Sequence, residues 1–372
     1  MLPVMRSARR RWLADPALWI GLGSAAALVV VTALFWPVGP DYYYTHRPVA
    51  ERFLRGETRL FDGNSVGFYN APWSLLLIIP LTWLPLAWGQ AALTVASLLG
   101  IALALHAARE EIPVPMLFAL LAVANLHTFD LLIRGNVDAF TAAGVGMGWM
   151  ALRRRNPWLL SLGFWLMSIK SVNLILAGAL FLFAMRRWHR MEWAKASSLL
   201  AVSFLASLFI FGFDWPVRYA SNYRAGPPYA FLLVTVWRAA TVLHVPMMLV
   251  ILTCGVAAAA WTYAVWRLGL APLTLGLALA TNLAVTPYAL GSHYILLIPA
   301  FLYVARRSRL LALLAYAATW TPLLRLRFGF GITWVDLGYP LLLLASLWLI
   351  GWRAVAAGPP PEACPLAGAM TP

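Results

Sequence analysis

Uncharged apolar runs recur along the whole chain, and they leave little freedom in what it can fold into. Ala17–Trp36, Trp73–Leu86 and Leu341–Trp352 contain no Asp, Glu, Lys or Arg, and each is apolar on every side of a helix. A soluble amphipathic helix buries one stripe and wets the other, so helices apolar all round belong in lipid or in a protein interior. An interior alone cannot absorb them. Of the 372 residues, 62% are hydrophobic and 11% charged, whereas a soluble domain carries about 25% charged residues. The runs also lack the period-two alternation of outer-membrane strands. The pattern predicts an all-α, polytopic transmembrane bundle.

The net charge of +15 would suit a nucleic-acid partner, but its placement argues against one. The cations form short clusters between apolar runs: Arg9–Arg11, Arg153–Arg155, Arg186–Arg190 with Lys195, and Arg306–Arg309. Lys and Arg gathered in short loops mark the cytoplasmic side of a membrane protein. Membrane lipids are therefore the expected surroundings, with no nucleic acid. Cys254 and Cys364 lie in an apolar run and in a Pro/Ala/Gly-rich tail, which is no basis for a disulfide or a metal site. The first apolar run is too long for a signal-peptide core and reads as an uncleaved span.

Alternating the sides from a cytoplasmic N-terminus gives about twelve crossings of a plasma membrane, with both ends inside. Residues 1–355 form one transmembrane domain, and 356–372 a disordered cytoplasmic tail. Residues 38–70 form an outer loop of balanced charge, with Tyr42–Arg55 as an interfacial helix. Ala71–Ala107 is too short for two spans and too long for one, which predicts one span plus a shorter piece broken near Pro80 and Pro85. Asn156–Met185 has room for only two short arms, because two full spans need about 40 residues. Lys170, between those arms, is thus expected at a turn sunk below the outer surface, and His293 at the tip of a second tight hairpin. Irregular backbone at such depth is tolerated only where protein buries it or it lines a watery cavity.

The candidate reactive groups all fall on that outer side. Asp41 follows Gly39-Pro40 at the end of the first run, as a general base beside an apolar wall or as a helix N-cap. Lys170 is one of two lysines in a chain that otherwise uses Arg. A membrane-depth ammonium points to an anionic ligand, or to an ion pair with Asp41 or Asp138. His293 suits phosphate binding, proton relay or a merely satisfied polar role. Arg134 lies four residues from both Asp130 and Asp138, a spacing that equally suits a helix-end ion-pair network. No Walker A loop, dinucleotide fingerprint, His-Glu-x-x-His or Gly-x-Ser-x-Gly is present, so ATP-driven transport within the chain is not expected. Asp62-Gly-Asn64 is too slight for a metal site, and no cofactor is called for.

These segments resemble the membrane glycosyltransferases of the GT-C type, in particular glycosyltransferase family 87. The resemblance runs from Asp41 to about Arg306. It rests on Gly39-Pro-Asp-Tyr-Tyr43, Arg55-Gly-Glu-Thr-Arg-Leu60, Phe68-Tyr-Asn-Ala-Pro-Trp73, Ser168-Ile-Lys170 and Thr286-Pro-Tyr-Ala-Leu-Gly-Ser-His-Tyr294. It implies a polyprenyl-phosphate-linked sugar donor, most often mannose, used with inversion on the outer face to glycosylate a lipid or glycan acceptor. Asp41 would be the base, and Lys170, His293 and Arg134 would hold the departing phosphate. Tyr42, Tyr69, Asn136 and Tyr294 would contact acceptor or sugar. The competing reading is a transporter or flippase for a lipid-linked or anionic substrate, since intramembrane Lys and Asp also mark such pathways. No inverted repeat accompanies it.

Overall fold

The computed structural model describes residues 16–61, 68–225 and 230–357, and among them every regular element is a helix. Arg9–Arg11, the Asp62-Gly-Asn64 segment and the tail from residue 358 lie outside the described residues. The first helix, α1 (Pro16–Phe35), leads to a π-helical turn at Tyr42–His46 and the short α2 (Arg47–Leu54). Then come α3 (Leu75–Thr82), α4 (Leu86–Glu111), α5 (Met116–Val123), α6 (Leu126–Arg134), α7 (Asp138–Arg153) and α8 (Pro157–Met167). The middle of the chain forms α9 (Ile175–Ala184), α10 (Arg190–Phe211), α11 (Trp215–Ala225), α12 (Val236–Val242) and α13 (Met247–Leu268). The last part forms α14 (Pro272–Val285), α15 (Ile298–Arg307), α16 (Arg309–Ala318), α17 (Leu324–Phe328) and α18 (Gly338–Ala357).

Five helical segments among the described residues are long and apolar enough to cross a membrane, or six if the pair α5 and α6, bent by 46°, counts as one span. Their large apolar side chains are widely exposed, as at Leu99, Phe209, Leu249, Trp266 and Leu349. Water would penalise such a surface, but lipid does not. The awkward stretch after residue 70 resolves as expected into a short helix with Pro80 inside it, then a 26-residue helix. Pro85 stands just before α4, where its missing N–H costs nothing.

One of the five segments, Pro157–Arg187, folds back on itself. In a straight helix Phe164 and Phe181 would lie about 25 Å apart, yet their ring centroids are 6.4 Å apart. The break falls at Lys170, whose backbone (φ −130°, ψ 65°) is not helical. The arms are α8, with 11 residues, and α9, with 10. Asn156 starts the first arm by accepting the amide hydrogens of Trp158 and Leu159, with Pro157 in the first turn. Trp165 donates to Ser203 and Leu199 donates to Ser161, so α8 runs parallel to α10. Extending that register places the Lys170 turn roughly one helical turn short of the end of α10.

Small residues bring these helices into contact. A Cβ on Gly163 would come within 2.8 Å of the Gly148 nitrogen, and one on Gly144 within 2.8 Å of the Gly163 carbonyl oxygen. Bare backbones let α7 and α8 approach closely, the packing favoured where lipid removes the hydrophobic drive. The two ends of α7 have different chemistry. At Arg153, ion pairs join Arg153 to Glu111, Arg154 to Glu110 and Arg155 to Glu192. At Asp138, roughly 24 Å away along the axis, lie Asp41, Arg134 and Lys170.

Candidate functional site

Gly39 determines where Asp41 sits. A Cβ there would collide with the carbonyls of Ile133 and Arg134, so only glycine lets the chain leaving α1 rest on the end of α6. Gly135 ends α6 in the left-handed conformation (φ 69°) and turns the chain into α7. Asp41 therefore faces Arg134 and Asn136. Asn136 Nδ2 donates to Asp41 at 2.8 Å, and the Arg134 guanidinium lies 3.9 Å from the same carboxylate. The Asp41 side chain makes no capping hydrogen bond, which corrects the N-cap alternative.

The Lys170 turn enters from the opposite side. Its ammonium donates to Asn136 Oδ1 at 2.9 Å and pairs with Asp138 Oδ1 at 2.7 Å. Asp138 also accepts from the Ser292 hydroxyl at 3.1 Å, and its Oδ2 lies 3.4 Å from His293 Nε2. The backbone N–H of Leu290 donates to His293 Nδ1 at 3.1 Å. A backbone donor cannot be reversed, so Nδ1 is an acceptor and the ring proton sits on Nε2, aimed at Asp138.

Part of this network borders a cavity of about 370 Å³. Of the expected site residues, Asp41, Arg134, Asn136, Lys170 and Tyr69 line it. His293 does not. It is fully buried behind Lys170, where it orients Asp138 instead of reaching a ligand. Tyr42 is also buried, its hydroxyl donating to the Leu81 carbonyl at 3.3 Å beside Gly89. Tyr294 packs edge-on to His127, with ring centroids 4.8 Å apart, and reaches the Val234 carbonyl at 3.4 Å. Neither tyrosine contacts the cavity, because backbone carbonyls satisfy both hydroxyls inside the bundle. Arg134 pairs with Asp130 at 2.8 Å as its spacing suggests, but not with Asp138. The turn at Gly135 breaks the helical register between residues 134 and 138.

Several lining residues escaped the reading of the sequence. His46 lies five positions after Asp41, and a π-helical turn brings both to the cavity where an α-helical count separates them. Asn70 and Tyr288 also line the wall. Asp138 does more than pair with Lys170: it also holds Ser292 and faces His293, and so organises the groups behind the cavity. Among the described residues, no three His, Cys, Asp or Glu side chains converge as a metal site would require.

Burial raises the Asp41 carboxyl above its usual range, opposed by the charges of Arg134 and Lys170 and by the Asn136 hydrogen bond. The side chain keeps 24% exposure toward the cavity. A carboxylate so placed can accept a proton from a ligand hydroxyl, and two cations beside it can hold an anion. No known protein family, curated protein or solved structure matches this chain.

Proposed function

We propose that this membrane protein is a glycosyltransferase that moves a sugar, mannose first among candidates, from polyprenyl phosphate to a hydroxyl of a lipid or glycan. One observation carries the reading. A single cavity holds a carboxylate, Asp41, and two cations, Arg134 and Lys170, with Asn136 bridging Asp41 to Lys170. A glycosyl transfer that expels phosphate needs these two kinds of group together. Asp41 takes the proton of the acceptor hydroxyl, whose oxygen forms a bond to the anomeric carbon from the face opposite the leaving group. The carbon–oxygen bond to phosphate breaks, its electron pair stays on the phosphate oxygen, and the sugar is inverted. Arg134 and Lys170 stabilise the charge that develops there. Asp130 and Asp138 back these two cations, so they are oriented before a substrate arrives.

The same reading gives the architecture a direction. Counting α8 and α9 as two arms and the bent pair α5 and α6 as one pass, the chain makes about twelve passes in a GT-C-like order. The Asp41 end faces the outside of the plasma membrane. The arginine-rich Arg153 end and both termini face the cytoplasm, in line with the positive-inside rule.

The test uses purified protein in lipid nanodiscs, with radiolabelled polyprenyl-phosphomannose and a membrane lipid extract as acceptor. Label should pass to a new product with the wild type and not with Asp41→Asn. Protein-dependent movement of the lipid-linked sugar across vesicles, with no covalent product, would overturn this reading in favour of a flippase.

A further inference from the structure

His46 and Asn70 border the same cavity as Asp41 and Lys170, yet the transfer described above uses neither. Both are almost fully buried, with 3% and 2% of their surface exposed. The Asn70 amide nitrogen lies 3.5 Å from His46 Nδ1. The other polar atom of each side chain, His46 Nε2 and Asn70 Oδ1, is buried without a hydrogen-bond partner. A buried polar atom without a partner calls for an explanation such as a bound ligand or water. Here there are two, side by side under the wall of a cavity.

The contact between the two side chains gives them complementary roles. With the amide donating to Nδ1, His46 carries its proton on Nε2, so the pair offers one donor and one acceptor. Reversing the amide and the tautomer together only exchanges those roles. A donor beside an acceptor matches a hydroxyl, which does both, and does not match a phosphate, which only accepts. Burial, reinforced by the Lys170 charge and opposed by Asp138, pushes the His46 imidazole down to about 3 and keeps it neutral.

The pair is also held in place. Ala71 N–H donates to the Ile169 carbonyl at 2.9 Å, which seats Asn70 beside the Lys170 turn. The Tyr219 hydroxyl and the Asn222 amide bind the carbonyls of Tyr69 and Phe68. Tyr69 and Tyr288, with ring centroids 5.1 Å apart, add flat apolar faces nearby. The turn carrying His46 begins just after Asp41, so one short segment presents both the carboxylate and this ring to the cavity.

We propose that His46 and Asn70 form a hydroxyl-binding subsite for the sugar of the donor, fixing which glycosyl group is accepted. The proposal rests on the transferase reading above.

Binding separates the two ideas. Purified protein in nanodiscs is titrated with a short-chain prenyl phosphate carrying mannose, and with the same prenyl phosphate without sugar. The wild type should favour the mannosylated form by about tenfold or more, as a site built to bind a hydroxyl does. His46→Phe and Asn70→Leu should abolish that preference, leave affinity for the bare phosphate unchanged, and keep thermal stability at or above wild type. His46→Gln should restore part of the preference. If both apolar variants keep the wild-type preference, the two atoms only hold water and the subsite is wrong, while the transferase reading stands. Equal wild-type affinity for both ligands overturns the subsite. Binding of neither overturns the donor assignment, and the subsite with it.

Discussion

Asn136 donates to Asp41 at 2.8 Å and accepts from Lys170 at 2.9 Å, so one amide connects the carboxylate to the cation. Asn136→Leu should lower turnover by about 10²-fold, the scale for losing one oriented polar contact, while the protein stays folded. Asn136→Asp tests the electrostatics. A base works as its carboxylate, so activity rises with pH through its pKa. A second negative charge beside Asp41 raises that pKa and should move the rising limb of the pH–rate profile upward by about one unit or more. An unmoved limb would mean that another group is the base.

The Lys170–Asp138 pair makes a stability prediction. Their side chains are 5% and 1% exposed, so removing either partner leaves a buried charge uncompensated. Lys170→Met and Asp138→Asn should each destabilise by about 3–5 kcal/mol. The double variant should lose clearly less than the sum of the two. Thermal unfolding of the four proteins in one detergent gives the cycle, and additive losses would show that the two charges are not coupled.

His46 predicts an acid sensitivity. Its folded pKa of about 3 lies below the unfolded value, so the unfolded chain binds a proton that the folded chain does not. Stability from this group is complete above about pH 6.5 and falls by up to about 1.4 kcal/mol per pH unit as the pH drops toward 3. The difference in melting temperature between wild type and His46→Gln should change steadily across that window. A constant difference would place the His46 ring in contact with water.

Gly163→Val probes the close approach of α7 and α8. The added Cβ meets Gly148 backbone atoms 2.8–3.0 Å away, which have no room to retreat. A loss of about 1–3 kcal/mol is expected. A Cβ on Gly178, in the neighbouring arm, meets nothing within 4 Å, so Gly178→Val serves as the control.

What could be read in advance follows from which constraints are local. The fold-back at Lys170 was legible because arm lengths are counted in residues and a bilayer has a fixed thickness. The break before α4 was legible because proline acts on its own turn. The link between Asp41 and Asn136 was not, since it depends on Gly39 resting on carbonyls 94 and 95 positions away. Asp138 was read as a helical neighbour of Arg134 because an αL glycine between them leaves no periodic trace. His46 was missed because a π-helical turn shifts the register by one residue, and nothing in Tyr42-Tyr-Tyr-Thr-His46 announces that shift.

The short arms of α8 and α9 also act as a depth gauge. In the membrane orientation proposed above, each helical turn added to both arms would lift the Lys170 ammonium by about 5.4 Å, toward the surface and a medium of higher dielectric constant. There its pull on an anion would fade several-fold. The number of residues in two unreactive helices thereby tunes the strength of a charge that neither of them carries.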